Sequence, residues 1–199
     1  MNISSFSIGL TNKVKIAFVQ VLRAIYTTPL PGFEIFSWNS DLTKTGIKIY
    51  RASPLRFTFY PMLSITSGRV NYSIKYHDSE EYSEDYDASS GEYLGTSFNG
   101  YTTIPITMTI WSKDEEEREK LTDYTAFFLR NKTIRNSFIE AGIEYKDIII
   151  SGETTEMIHA EPIFKNTISV DCVTEYNYYL GVDSEQILRQ IEIQNESTF

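Results

Sequence analysis

The sequence predicts an α+β fold in which a mostly antiparallel sheet is flanked by helices. Three observations lead there. Val14, Ala17, Phe18, Val21, Leu22 and Ile25 recur at helical spacing. Ile104, Ile106, Met108 and Ile110 alternate with Thr103, Pro105, Thr107 and Thr109 as a half-buried strand. Strands and helices also come in runs, not in strict alternation, which disfavours a doubly wound parallel sheet. At 199 residues the chain buries roughly 70% of its unfolded surface, enough to need no staple. One domain is expected over residues 1–181, with an excursion at about 77–100 inside it, followed by a short helix and polar tail at 182–199.

The elements follow in order. The first helix is expected over residues 10–27, closed by Pro29 and Pro31 just beyond it. Phe33 to Trp38, Ile47 to Tyr50 and Arg56 to Tyr60 are rich in β-branched and aromatic residues and read as short strands. Val70, Tyr72, Ile74 and Tyr76 alternate after a Ser67-Gly68 turn signal. Pro105 in the next strand favours an edge or a bulge. Ser112 with Glu115 three residues later reads as a capping box, and Asp114 to Glu117 crowd the first turn of a second helix that ends at Arg130. Leu121, Tyr124, Thr125, Phe128 and Leu129 form its core stripe; Phe127 lies off it, against either a second layer or another subunit. A short helix over 134–141 stops at Gly142. Strands are then expected at 143–150, 157–164 and 167–179, and a last helix at 184–194.

Charge is unevenly distributed. The net charge is −9, which argues against a basic nucleic-acid-binding face. Between Tyr76 and Ser112 there is no Lys or Arg, whereas Asp78, Glu80, Glu81, Glu84, Asp85, Asp87 and Glu92 supply seven negative charges. Such a segment reads as a solvated excursion. Six of the chain's fourteen tyrosines, Tyr72, Tyr76, Tyr82, Tyr86, Tyr93 and Tyr101, lie in or beside it. Tyrosine offers contact area with a polar tip, so these rings either form a protein interface or cover their own sheet. Arg130, Lys132 and Arg135 form the one compact basic group; they either complement helix ends or pair with a neighbouring subunit's acidic loop.

Catalytic groupings are not evident. His77 and His159 have no ligand spacing between them, and no nucleophile elbow, phosphate loop or dinucleotide fingerprint occurs. Asp85, Asp87 and Ser89 are spaced like the start of a calcium loop, but Ser90 stands where glycine is required and Thr96 where the closing glutamate belongs. The single Cys172 reads as a buried small hydrophobe and precludes an internal disulfide. No run approaches the ~18 apolar residues of a membrane helix, and no secretory leader is visible. No enzyme activity, cofactor, metal or membrane association is expected.

The order of elements resembles that of tail terminators, the tail-completion and head–tail joining proteins of tailed bacteriophages. The matching pieces are the N-terminal helix, the Pro61 segment reaching Ser67-Gly68-Arg69, and the long excursion. They continue through the strand from Thr102 to Trp111, the helix opening on Ser112-Lys113-Asp114-Glu115-Glu116-Glu117, the element Ala141-Gly142-Ile143, and late strands ending in Val173-Thr174-Glu175-Tyr176. The resemblance implies a tail-terminator-like sandwich that assembles as a ring, usually a hexamer, in the virion neck. Its partners would be the tail tube protein and the head connector or stopper, with DNA passing through unbound and assembly taking place in the bacterial cytoplasm. The family has no catalytic residues to carry over. The expected interaction surface comprises Tyr76, Glu80, Glu81, Tyr82, Glu84, Asp85, Tyr86, Phe127, Arg130, Lys132 and Arg135. The alternative is a cytoplasmic adaptor whose acidic, tyrosine-rich loop binds a basic partner.

Overall fold

The computed structural model describes residues 9–52, 59–70, 81–158 and 160–181. They form α1 (Leu10–Thr27), a 3-10 turn (Glu34–Phe36), β1 (Lys48–Tyr50), β2 (Met62–Ser67), β3 (Glu81–Tyr86), β4 (Tyr93–Ser112), α2 (Glu115–Arg130), α3 (Lys132–Glu140), β5 (Ile143–Ile150), β6 (Thr154–Ile158) and β7 (Glu161–Gly181). The sheet runs β1-β2-β4-β7-β5, with β3 also on β4 and β6 also on β7. β1 joins β2 in parallel; β2–β4, β3–β4, β5–β7 and β6–β7 are antiparallel. The fold is thus the α+β class that the sequence predicts.

The chain divides into two compact units. One comprises Thr11–Asn71 and Thr103–Thr174; the other comprises Met1–Leu10, Tyr72–Thr102 and Glu175–Phe199. In the first, period-2 alternation puts Ile104, Ile106, Met108 and Ile110 on one sheet face, with Leu63 and Ile65 opposite Ile110 and Met108. Ile168, Val170 and Cys172 on β7 are buried likewise. All three helices cover that face, because each touches the β5 residue Tyr145. Its ring lies 6.0 Å from Phe18 of α1 and 5.3 Å from Phe138 of α3, and its hydroxyl donates to the Leu129 carbonyl of α2 at 2.6 Å. Fully burying each large aliphatic side chain here contributes about 1.5–3 kcal/mol. The opposite face holds a smaller cluster, Met62, Trp111 and Ile163, flanked by Tyr50, Tyr60 and Ile158.

Several expectations are corrected. Phe33 to Trp38 is not a strand: the chain turns at Pro31-Gly32, Glu34–Phe36 coils as a 3-10 turn, and Phe33 stacks on Tyr124 at 4.4 Å. The aromatic content there reflects a plug over the helices, not sheet pairing. The strand expected at 157–164 is two strands, β6 and β7, reversing between paired Ile158 and Glu161, with Ala160 at φ 65°. No glycine marks that reversal. Pro105 lies in β4, which runs between β2 and β7, at the point just past the last β2 pair, Ser67 with Ile106. The β2 ladder ends there: the Gly68 N–H donates to the Pro105 carbonyl at 2.9 Å, and proline has no N–H to return. A side chain at Gly68 would meet the Pro105 ring at 2.9 Å, so the position requires glycine.

The capping box is displaced by two residues. β4 continues through Ser112, so Asp114 is the cap, accepting from the Glu117 N–H at 2.8 Å. Ser112 supports it, accepting from the Asp114 N–H at 2.9 Å and donating to the Glu117 carboxylate. The short helix starts at Lys132, earlier than expected, and ends where expected: Gly142 takes φ 73° and its N–H donates to the Ile139 carbonyl at 2.9 Å. Most of the strand expected at 56–60, the alternation at 71–76, His77, His159 and the helix at 184–194 lie outside the described residues.

Buried ionisable groups make this unit sensitive to alkali. Burial pushes the Tyr145 phenol up to about 12 and the Cys172 thiol up to about 12, and it raises the Tyr26 phenol too. Each folded value exceeds the unfolded one, 10.0 for tyrosine and 9.0 for cysteine. Their contribution to stability is therefore complete below about pH 9 and is lost as pH rises toward about 12. We expect the unfolding free energy to fall by about 1.4 kcal/mol per pH unit for each group that the unfolded chain has deprotonated. Urea midpoints between about pH 8 and 11 test this, and a flat profile would contradict it.

Candidate functional site

The first candidate surface lies on the Thr11–Asn71 and Thr103–Thr174 unit, where one extended residue separates two helices. Asn131, at φ −67° and ψ 131°, ends α2 and caps α3, its side chain accepting from the Thr133 N–H at 2.8 Å. Arg130 and Lys132 thereby stand on either side of a break, and Arg135 follows one turn later. β5 adds Lys146, and the four cations line two adjoining clefts of about 380 and 270 Å³. Glu144 lies in the larger cleft and Asp147 in the smaller, so four cations face two carboxylates. The floor is apolar and buried, formed by Ile143 and Tyr145, while Ile139 is 57% exposed.

Arg135 is held in place. Its Nη2 donates to the Tyr145 carbonyl at 3.1 Å and its guanidinium sits 5.6 Å from the Tyr145 ring centroid. Arg130, Lys132 and Lys146 are exposed and form no ion pair with any described residue. Arg130 complements the C-terminal end of α2, but Lys132 occupies the first turn of α3, where the helix dipole disfavours a cation. Helix-end electrostatics accounts for one of the two. Phe127 is 59% exposed and edge-on to Phe128 at 5.4 Å, off the core stripe as expected.

The second surface belongs to the other unit. The acidic excursion, expected as a loop, is a hairpin: β3 pairs with β4, Glu84 opposite Thr96 and Tyr86 opposite Tyr93. Its composition describes side chains facing water, whereas the backbone is satisfied by the neighbouring strand. Asp87 builds the turn, its Oδ1 accepting from the Ser89 and Ser90 N–H groups at 2.9 and 2.7 Å and from both hydroxyls. Those bonds, the Ser89 hydroxyl first, hold its carboxyl far below the usual range. This carboxylate is committed to the turn, not to a cation.

Tyr86 donates to Glu84 at 2.6 Å, which raises its phenol, and its ring lies 5.6 Å from that of Tyr93. Tyr101 donates to Glu175 at 3.2 Å. The Tyr86 and Tyr101 rings are 54% and 60% exposed, and the Leu94 side chain is 46% exposed. Asp85 is half-buried opposite Gly95. Glu81 and Tyr82 lie in β3 opposite Asn99 and Phe98, and Tyr76 and Glu80 fall outside the described residues.

Two features had no counterpart in the sequence reading. Lys146 joins the basic group only through the β5 pairing, and its exposed place in an alternating strand was the one available signal. Arg118, in a run of charged residues, is 1% exposed. Among the described residues no group of His, Cys, Asp or Glu is placed to hold a metal ion, and no helix is long and apolar enough to cross a membrane. The chain matches no protein-family model and none of the curated proteins compared with it.

Proposed function

We propose that the chain is a non-enzymatic subunit of a tailed-phage neck, of the tail-terminator type, which works as a homo-oligomeric ring between the tail tube and the head connector. The observation that supports this most is the β3–β4 hairpin, an acidic ribbon bearing exposed aromatic and aliphatic side chains. Exposed rings beside carboxylates are suited to protein contact, because they bury area at small entropic cost while the charges select the partner. Carboxylates facing a channel would also repel phosphates and let DNA pass.

The test is the solution mass by light scattering over a range of concentration and salt, with negative-stain images of the same samples. The expected result is a closed ring, with a mass several times the 23.0 kDa of one chain, whose fraction grows with concentration. A mass of one chain under every condition, together with no binding to purified tail tubes, would overturn the reading in favour of a monomeric adaptor.

A further inference from the structure

We infer that the basic cleft at the α2–α3 break is the docking site for the acidic β3–β4 hairpin of a second copy of this chain. The inference rests on the ring reading and names the contact that would close the ring. Charge complementarity carries it. The hairpin over residues 81–102 contains five carboxylates and no Lys or Arg, while the cleft brings four cations against two carboxylates in a chain whose net charge is −9.

The cleft is arranged to receive a partner. Lys132 stands at the dipole-disfavoured end of α3, so its charge is stabilised by an external anion better than by its own helix. Arg135 is oriented by the Tyr145 carbonyl and ring. Ile139, 57% exposed in the lining of the larger cleft, suits a ribbon that offers tyrosine rings together with carboxylates, and Tyr86 presents both through its bond to Glu84. A cleft on one subunit and a hairpin on the next make a heterologous contact, the kind that closes into a ring when the rotation permits. A polyanion such as DNA is the competing occupant, disfavoured by the chain's net negative charge.

Charge reversal on each side tests the assignment. One variant carries Arg130→Glu with Lys132→Glu; the other carries Glu84→Lys with Glu92→Lys. All four side chains are exposed, and neither Arg135 nor the turn-forming Asp87 is touched. Urea midpoints within error of the wild type confirm that each variant is folded. Each alone is expected to self-associate about 100-fold more weakly, and an equimolar mixture is expected to pair the two variants with each other, because the unchanged cleft of the hairpin variant meets the unchanged acidic hairpin of the cleft variant. If both variants associate like the wild type, this contact is refuted while a ring through other surfaces stands. A wild type that stays monomeric to about millimolar concentration refutes contact and ring together. Binding of duplex DNA that only the cleft variant loses, with self-association unchanged, refutes the second-copy assignment and gives the cleft to nucleic acid.

Discussion

Replacement of Tyr145 by alanine is expected to destabilise the protein by about 4 kcal/mol, the upper part of the range for removing a buried aromatic side chain. The reason is the number of elements this residue joins. It is 2% exposed, its ring contacts Phe18 of α1 and Phe138 of α3, and its hydroxyl satisfies the Leu129 carbonyl in the last turn of α2. That carbonyl has no partner within its own helix. Tyr145→Phe keeps the ring and loses only the hydroxyl, so it should cost about 1–2 kcal/mol. For a chain of this length a 4 kcal/mol loss lowers the melting temperature by roughly 10 °C. Thermal unfolding of both variants gives the comparison. Equal losses would mean that the hydroxyl bond, not the ring, ties helices to sheet.

The residues that were legible in the sequence are those whose environment repeats. α1 falls on 10–27 as expected because Val14, Phe18, Leu22 and Ile25 report a single buried face and Pro29 stops the helix. β5 falls on 143–150 because Gly142 opens it with a left-handed turn. The alternation at 103–110 marks the covered face of β4 residue by residue. Where side-chain environment and backbone pairing diverge, the reading fails. Glu84 and Tyr86 face solvent, yet their backbone is paired, so an acidic composition concealed a hairpin. Ala160 turns the chain without a glycine, so the end of β6 and the start of β7 merged into one expected strand, while the rest of β7 was expected as a separate one. The candidate cleft was half visible: Arg130, Lys132 and Arg135 are close in sequence, but Lys146 reaches them only through tertiary pairing, and the Asn131 break depends on one side-chain bond.

Arg118 shows the same limit and leads to the second large effect. In the run Glu115-Glu116-Glu117-Arg118-Glu119 it reads as one more surface charge, yet it is 1% exposed on α2. Its Nη2 lies 2.7 Å from Glu153 in the β5–β6 turn, 3.4 Å from Glu119 and 3.8 Å from Glu115, and its guanidinium is 6.0 Å from the Phe164 ring centroid. The three carboxylates are each more than half exposed, so water remains available to them if the arginine is removed. The guanidinium itself is buried, and its Nε has no hydrogen-bond partner. These facts separate volume from charge. Arg118→Ala should cost about 3 kcal/mol, since it opens a cavity beneath α2 and breaks the tie to Glu153. Arg118→Met fills most of that volume, leaves no buried charge unpaired and should cost at most about 1 kcal/mol. Glu153→Gln should fall between them, because it weakens the shortest pair while the buried cation stays. Urea unfolding of the three variants at pH 7 decides the matter. If methionine proves as damaging as alanine, the ion pairs and not the packed stem anchor α2 to the β5–β6 turn.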